Sequence, residues 1–247
     1  MKLLGPEDTA KALRDKAHAW NSYVHSIWPG GSTTFFVDGC ITVLPAAFAM
    51  TQRRLDGSDA LAVATVPTTG RSAAATRELI LRHPQIHGSL YALSEAALTR
   101  VRAAGLRLPL GFYRSDSLLG TLVNFNFEPT LHDWDERRIV VVSEPTWSMA
   151  AKSIWNPADV LGQVRRIARQ AMGAVEEAAT KERFYDRREP LQVLHAEPLA
   201  FVDEWIRRDG SSAGAPRQVH WLAQLRMRHV RQRTDWALAG EPPVCLF

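Results

Sequence analysis

From Ala10 through Leu13, Ala17, Trp20, Val24 and Ile27, apolar residues recur at three- and four-residue spacing, while Lys11, Arg14, Lys16 and Asn21 fall between them. That spacing predicts an amphipathic helix with one face in a core, ended by Pro29-Gly30-Gly31. Thr33-Thr34-Phe35-Phe36-Val37 is then a short β-branched and aromatic run, which predicts a buried strand stopping at Asp38 and Gly39. Pro45 is placed to open a helix. Ala60 to Val66 predicts a second apolar strand, closed by Pro67-Thr68-Thr69-Gly70. A helix from about Ser72 to His83, a strand from Ser89 to Leu93, a helix after the N-cap Ser94 and a strand from Arg138 to Val142 continue the alternation. Alternating strands and helices predict an α/β layered sheet, whose ligands gather at the carboxyl ends of its strands.

The last third is helical in pattern. Asn156-Pro157 opens a long amphipathic helix through Val160, Leu161, Val164, Ile167, Ala168, Ala171 and Val175. Residues 210–216 (Gly-Ser-Ser-Ala-Gly-Ala-Pro) form a flexible linker, and Arg217 to Arg233 follows, rich in Arg and His and without a carboxylate. The expected organisation is therefore 1–150 as an α/β unit, 151–209 as a helical extension, 210–216 as linker and 217–247 as a basic helix and tail.

Composition narrows the classes. With 247 residues, 46% hydrophobic and 23% charged, the chain can bury a core, which excludes a disordered or fibrous protein. No apolar run approaches the roughly 18 to 20 residues of a bilayer span, and the acidic start does not fit a signal peptide, so a cytoplasmic location is expected. Cys40 and Cys245 are the only cysteines and make neither a disulfide framework nor a zinc cluster. The net charge of +4 admits an anionic partner: nucleotide, nucleic acid or phospholipid.

Several residues can carry chemistry. Asp38, released at the end of a strand, can hold Mg2+ or Mn2+ against a diphosphate; an Asp-Gly pair also simply forms turns. Asp116, just before the helical Leu118 to Val123, can act as a general base toward an acceptor hydroxyl or complement a helix N-terminus. Gln163, Arg165, Arg166 and Arg169 lie on one helix and can reach phosphate oxygens, or make a solvated face. The Pro67 to Ser72 loop, with Arg71, offers an anion or sugar cradle without the spacing of a P-loop. Among eight histidines there is no His-Glu-x-x-His, and no Gly-x-Ser-x-Gly elbow occurs. Trp221, Leu222, Leu225 and Val230 can share an apolar side among arginines, which suits an anionic membrane surface. Nucleic acid would meet the same charge but is not the expected partner.

Taken in order, these segments resemble the second half of a bacterial family 2 glycosyltransferase of GT-A fold. Lys16-Ala17-His18-Ala19-Trp20-Asn21 is similar to the family's Gly-Lys-x-x-Ala-x-Asn, and Phe35-Phe36-Val37-Asp38-Gly39-Cys40 to the strand that ends in Asp-x-Asp. Thr42 to Phe48 is similar to the segment that opens the following helix. Val66 to Ser72, Gly88 to Leu93 and Leu108 to Asp116 resemble the donor-side loop, the acceptor-side strand and the loop bearing the base. Gln163-Val164-Arg165-Arg166-Ile167 is similar to Gln-x-x-Arg-Trp. The resemblance spans about Lys16 to Arg188.

The resemblance implies transfer of a sugar from a nucleotide-sugar donor to a hydroxyl acceptor. It implies Asp116 as base, Asp38 as metal ligand, and Asp38, Arg71, Gln163, Arg165 and Arg166 at the donor diphosphate. Gly88, Leu90 and Tyr91 would lie on the acceptor side. Cys40 replaces the second acid of Asp-x-Asp, and a protonated thiol is a poor ligand for Mg2+ or Mn2+, so the ion would rest on Asp38, water and phosphate oxygens. Ile167 replaces Trp. The family's first β-α unit, which cradles the base, has no counterpart before Thr9, so an upstream half or a partner chain is expected to supply it. The competing expectation is a non-catalytic relative that binds a glycan or nucleotide, or scaffolds a partner transferase. Peripheral contact with the inner face of the membrane is a further expectation.

Overall fold

Five strands form one mixed sheet in the order β1-β4-β3-β5-β2. The structure, a computed structural model, describes residues 13, 15–69, 73–149, 157–195, 197–208 and 218–240. The strands are β1 (Thr34–Val37), β2 (Ile41–Val43), β3 (Ala62–Pro67), β4 (Leu90–Leu93) and β5 (Ile139–Met149). β4 runs antiparallel to both β1 and β3, so β1 and β3 are parallel and their carboxyl ends meet the start of β4. β5 is parallel to β3.

Helices cover both faces. α2 (Ala47–Asp56) closes one, where Leu55 packs with Val63, Ala92 and Val142. α1 (Lys16–Ser22), α3 (Ala73–Arg82), α4 (Glu95–Ala103) and α5 (Ser115–Asn124) contribute to the larger core on the other, where Trp20, Ile80, Leu98 and Leu118 meet Ala62, Ala64 and Val66. β3 therefore sends alternate side chains to opposite faces and is buried along its whole length, as the continuous apolar run from Ala60 predicts. Each large aliphatic chain enclosed here contributes ~1.5–3 kcal/mol over an exposed one. The helix after Ser94 begins as expected, with Ser94 Oγ accepting the Ala97 N–H at 3.1 Å.

Three expectations change. β1 is not a buried strand: it lies at an edge of the sheet, and Val37 is 47% exposed. Its apolar run could not distinguish a central from an edge strand, because both need one apolar face. β2 was not legible, being three residues long and paired only with the far end of β5. β5 extends beyond Val142 because the register shifts at Val66 and Pro145 and the strand continues along β2; this shift carries Trp147 to the carboxyl end of β3, where Thr68 N–H donates to its carbonyl at 2.8 Å.

The carboxyl-terminal helices are α6 (Pro157–Thr180), α7 (Ala200–Arg207) and α8 (Trp221–Arg231). Met172 and Ala179 of α6, Phe201 and Val202 of α7, and Met227 and Val230 of α8 join the larger core. The expected grouping of Trp221, Leu222, Leu225 and Val230 on one side of α8 is divided: Val230 turns inward with Ala223 and Met227, Leu222 is half-buried, and Trp221 and Leu225 face outward. The linker at 210–216 lies outside the described residues. Among the described residues no helix is long and apolar enough to cross a membrane.

Candidate functional site

Two segments distant in sequence converge where β1 and β3 end and β4 begins. α1 presents Lys16 one residue after its N-cap, Asp15. Asp15 Oδ1 accepts the His18 N–H at 2.9 Å, and its Oδ2 accepts the Gly111 N–H at 3.1 Å, so the cap also ties α1 to the loop before α5. Asn21, buried in the same helix, grips the Leu108 peptide at both ends, donating to its carbonyl at 2.9 Å and accepting its N–H at 2.8 Å. These paired bonds set α1 against the segment that leads to Asp116.

At the end of β1, Asp38 Oδ1 accepts from Lys16 Nζ at 2.9 Å, and the same ammonium donates to the Gly88 carbonyl at 3.0 Å. The Gly88 N–H donates to Asp116 Oδ2 at 2.7 Å. One residue, through the two peptide groups that flank it, therefore connects the lysine–aspartate pair with the second carboxylate. Glycine leaves room for both groups: a Cβ on residue 88 would stand 2.5 Å from Lys16 Nζ and 2.8 Å from Asp116 Oδ2, so a side chain here would displace them. The pair is partly exposed, so its contribution to stability is at most ~1 kcal/mol; its consequence is a fixed positive charge beside two carboxylates.

His87 adjoins this cluster, with buried Trp147 behind it. Their rings stack at 5.2 Å and 24°, and Trp147 Nε1 donates to buried Thr65 Oγ1 at 3.1 Å. Burial holds the His87 pKa below the ordinary imidazole value, a fall partly opposed by the negative charges of Asp116 and Asp38. His87 Nδ1 accepts the Ser89 N–H at 3.3 Å, leaving Nε2 as the protonated nitrogen of the neutral ring.

The loop before Asp116 is held from beneath by Glu176 of α6, whose two carboxylate oxygens accept the N–H groups of Tyr113 at 2.9 Å and Arg114 at 2.8 Å. Burial raises the Glu176 pKa to about 8, against these two hydrogen bonds and the Arg114 charge. Arg169, Gly173 and Glu176 share one side of α6 and meet this loop, and Glu177 lies 3.8 Å from the Arg114 guanidinium. Arg169 lies 5.9 Å from the Tyr113 ring, and a Cβ at Gly173 would come within 3.0 Å of Arg114 Nε.

Of the residues expected at the site, Asp38, Gly88 and Asp116 come together. Leu90 and Tyr91 do not line it: they are 0% and 2% exposed, Leu90 packing with Ala47 and Trp147 and Tyr91 stacking on Phe36 at 4.9 Å. They support the site from the core. Gln163, Arg165 and Arg166 lie on the first half of α6 and are half-buried or exposed, whereas Arg169 reaches the Asp116 loop. Arg71 lies outside the described residues. Sequence reading gave no role to Lys16, His87, Trp147 or Glu176. Glu176 carried a signal: it is a lone carboxylate in register with Met172 and Ala179 on the inward side of α6.

The donor set at Asp38 fits a divalent ion only as a shared site. Asp38 Oδ2 has no hydrogen-bond partner among the described residues, and Mg2+ is commonly held by one or two carboxylates together with water and phosphate oxygens. Cys40 is exposed and adds no hard oxygen. Among the described residues no three His, Cys, Asp or Glu side chains form a metal-ligand group.

No protein-family model, curated protein or solved structure matches the chain.

Proposed function

We propose that this chain is a glycosyltransferase-like protein that transfers a sugar from a nucleotide-sugar donor to a hydroxyl acceptor. The observation that carries this reading is the convergence of Asp38 and Asp116 through Lys16 and Gly88 at the carboxyl ends of parallel strands. A carboxylate beside a fixed cation suits a phosphate-bearing leaving group, and a second carboxylate suits the acceptor.

In this reading the acceptor oxygen attacks the anomeric carbon while the bond from that carbon to the donor diphosphate breaks. The hydroxyl proton passes to Asp116, whose Oδ2 is already oriented by the Gly88 N–H. Lys16 stands where negative charge develops on the departing diphosphate and stabilises it electrostatically. Mg2+ or Mn2+, held by Asp38 with water and phosphate oxygens, would supply further charge neutralisation there. The partly exposed His87 ring, backed by buried Trp147, offers a flat surface to a sugar or base. Among the described residues the outer edge of β1 is unpaired, and a strand from a nucleotide-binding unit, in this protein or a partner chain, would add there.

The test is transfer or donor hydrolysis with nucleotide sugars and Mn2+. Asp116→Asn is expected to lower turnover by about 10²–10⁴-fold, and Asp38→Ala to abolish it, with circular dichroism unchanged. Full turnover in either variant removes that residue from the mechanism. Tight donor binding without turnover in the native chain favours the second reading, a non-catalytic glycan- or nucleotide-binding protein. One observation supports that reading: Lys16 already occupies one oxygen of Asp38, and Gly88 one oxygen of Asp116.

A further inference from the structure

α6 and α8 pack together, and each exposes apolar residues. Ile167 and Ala171 of α6 and Leu222 of α8, with Trp205 of α7, line a groove of about 620 Å³ whose rim also carries Gln170, Gln218 and His220. Other apolar residues of the same two helices are exposed as well. On α6, Leu161 is 50%, Val164 59% and Ile167 54% exposed; on α8, Trp221 is 65% and Leu225 55% exposed. Burying these five chains would remove several hundred Å² of apolar surface from water, more than scattered surface residues account for.

Basic residues predominate on the two helices, with Glu177 of α6 the exposed acid beside them. From Val160 to Val175 the sequence contains Arg165, Arg166 and Arg169 and no Asp or Glu; from Arg217 to Thr234 it contains Arg226, Arg228, Arg231 and Arg233 and again no Asp or Glu. Arg231 is engaged by Asp203 of α7. Arg165 and Arg228 are exposed, and Arg166, Arg169 and Arg226 are half-buried. Burial and the charges of Arg169 and Arg233 lower the Arg226 pKa, so the cations crowd one another. An apolar protein surface would leave this charge unmatched, whereas phospholipid headgroups would neutralise it while the acyl boundary receives the tryptophan and leucines.

We infer that the α6–α8 face docks peripherally on an anionic phospholipid bilayer, with Trp221, Leu225 and Ile167 entering the headgroup boundary and the exposed Arg165 and Arg228 binding lipid phosphates. Trp221, Leu225, Ile167, Arg165 and Arg228 are distinct from the residues at Asp38 and Asp116, whereas Arg169 turns to Tyr113 of the Asp116 loop, so the inference stands whether or not the chain transfers sugar.

The experiment is co-sedimentation of the full chain with vesicles of phosphatidylcholine alone and of phosphatidylcholine mixed with phosphatidylglycerol. Binding is expected only to the mixed vesicles, weakening as salt is raised. Replacing Arg165 and Arg228 by Gln should weaken it about fivefold per arginine. Trp221→Ala with Leu225→Ala should weaken it at least about tenfold, with circular dichroism unchanged, since both chains are outside the core. Three results would overturn the inference: no binding to the mixed vesicles, binding that ignores the Trp221 and Leu225 replacements, or a concentration-dependent dimer that those replacements dissolve. Duplex DNA bound with the same arginine dependence but without dependence on Trp221 or Leu225 would point instead to nucleic acid.

Discussion

Asp116 Oδ2 accepts the backbone N–H of Gly88 at 2.7 Å, across 28 residues of chain. The other end of the same glycine binds Lys16, so the geometry of both charged groups depends on one residue without a side chain. Gly88→Ala is expected to push Lys16 Nζ and the Asp116 carboxylate aside. Both are ends of movable side chains, so the loss in stability should be modest, about 1 kcal/mol. Donor binding or turnover should fall far more. A urea midpoint measured beside the activity assay checks this; equal activity with a shifted midpoint would show that the linkage is only structural.

His87 is held below the usual imidazole pKa by burial, while Asp116 and Asp38 oppose that fall. Removing the Asp116 charge with Asp116→Asn should therefore lower the His87 pKa further. A nuclear magnetic resonance titration of the ring reads this directly. A rise in Asp116→Asn would mean that the carboxylate does not face the imidazole.

Glu176 gives the fold a pH dependence of definite sign. Its folded pKa, about 8, lies above the ordinary 4.5, so between those values the folded chain keeps a proton that the unfolded chain has released. The associated stability is complete below pH 4.5 and is lost as pH rises through 8, in total on the order of a few kcal/mol. Glu176→Gln, which cannot titrate, should flatten the stability curve over this window. Denaturant unfolding from pH 5 to 9 makes the comparison.

Arg183 is 1% exposed and binds Glu189 Oε2 and Glu204 Oε2, each at 2.9 Å, as well as the Phe201 carbonyl at 3.0 Å. Its hydrogen bond holds the Glu204 carboxyl below the usual range. Arg183→Leu removes the shared buried partner of two carboxylates, which keep only Arg208 and His195 at their other oxygens, and of the Phe201 carbonyl; it is expected to cost up to about 3–5 kcal/mol, read as a fall in the urea midpoint. A loss below 1 kcal/mol would show that water replaces the guanidinium.

What the sequence determined by itself was local. The apolar run from Ala60, the N-cap at Ser94 and the periodicity after Pro157 specify β3, α4 and α6 because burial and capping act over a few residues. Asp38 and Asp116 were legible as carboxylates at the ends of elements. Their convergence was not: it depends on β4 lying between β1 and β3, on Asn21 gripping Leu108, and on Gly88 admitting two side chains where a Cβ would stand. The tertiary structure likewise decided that Leu90 and Tyr91 belong to the core, that Val230 turns inward while Trp221 and Leu225 do not, and that Glu176 supports the Asp116 loop. Periodicity assigns a residue to a side of its own element; only packing determines what that side meets.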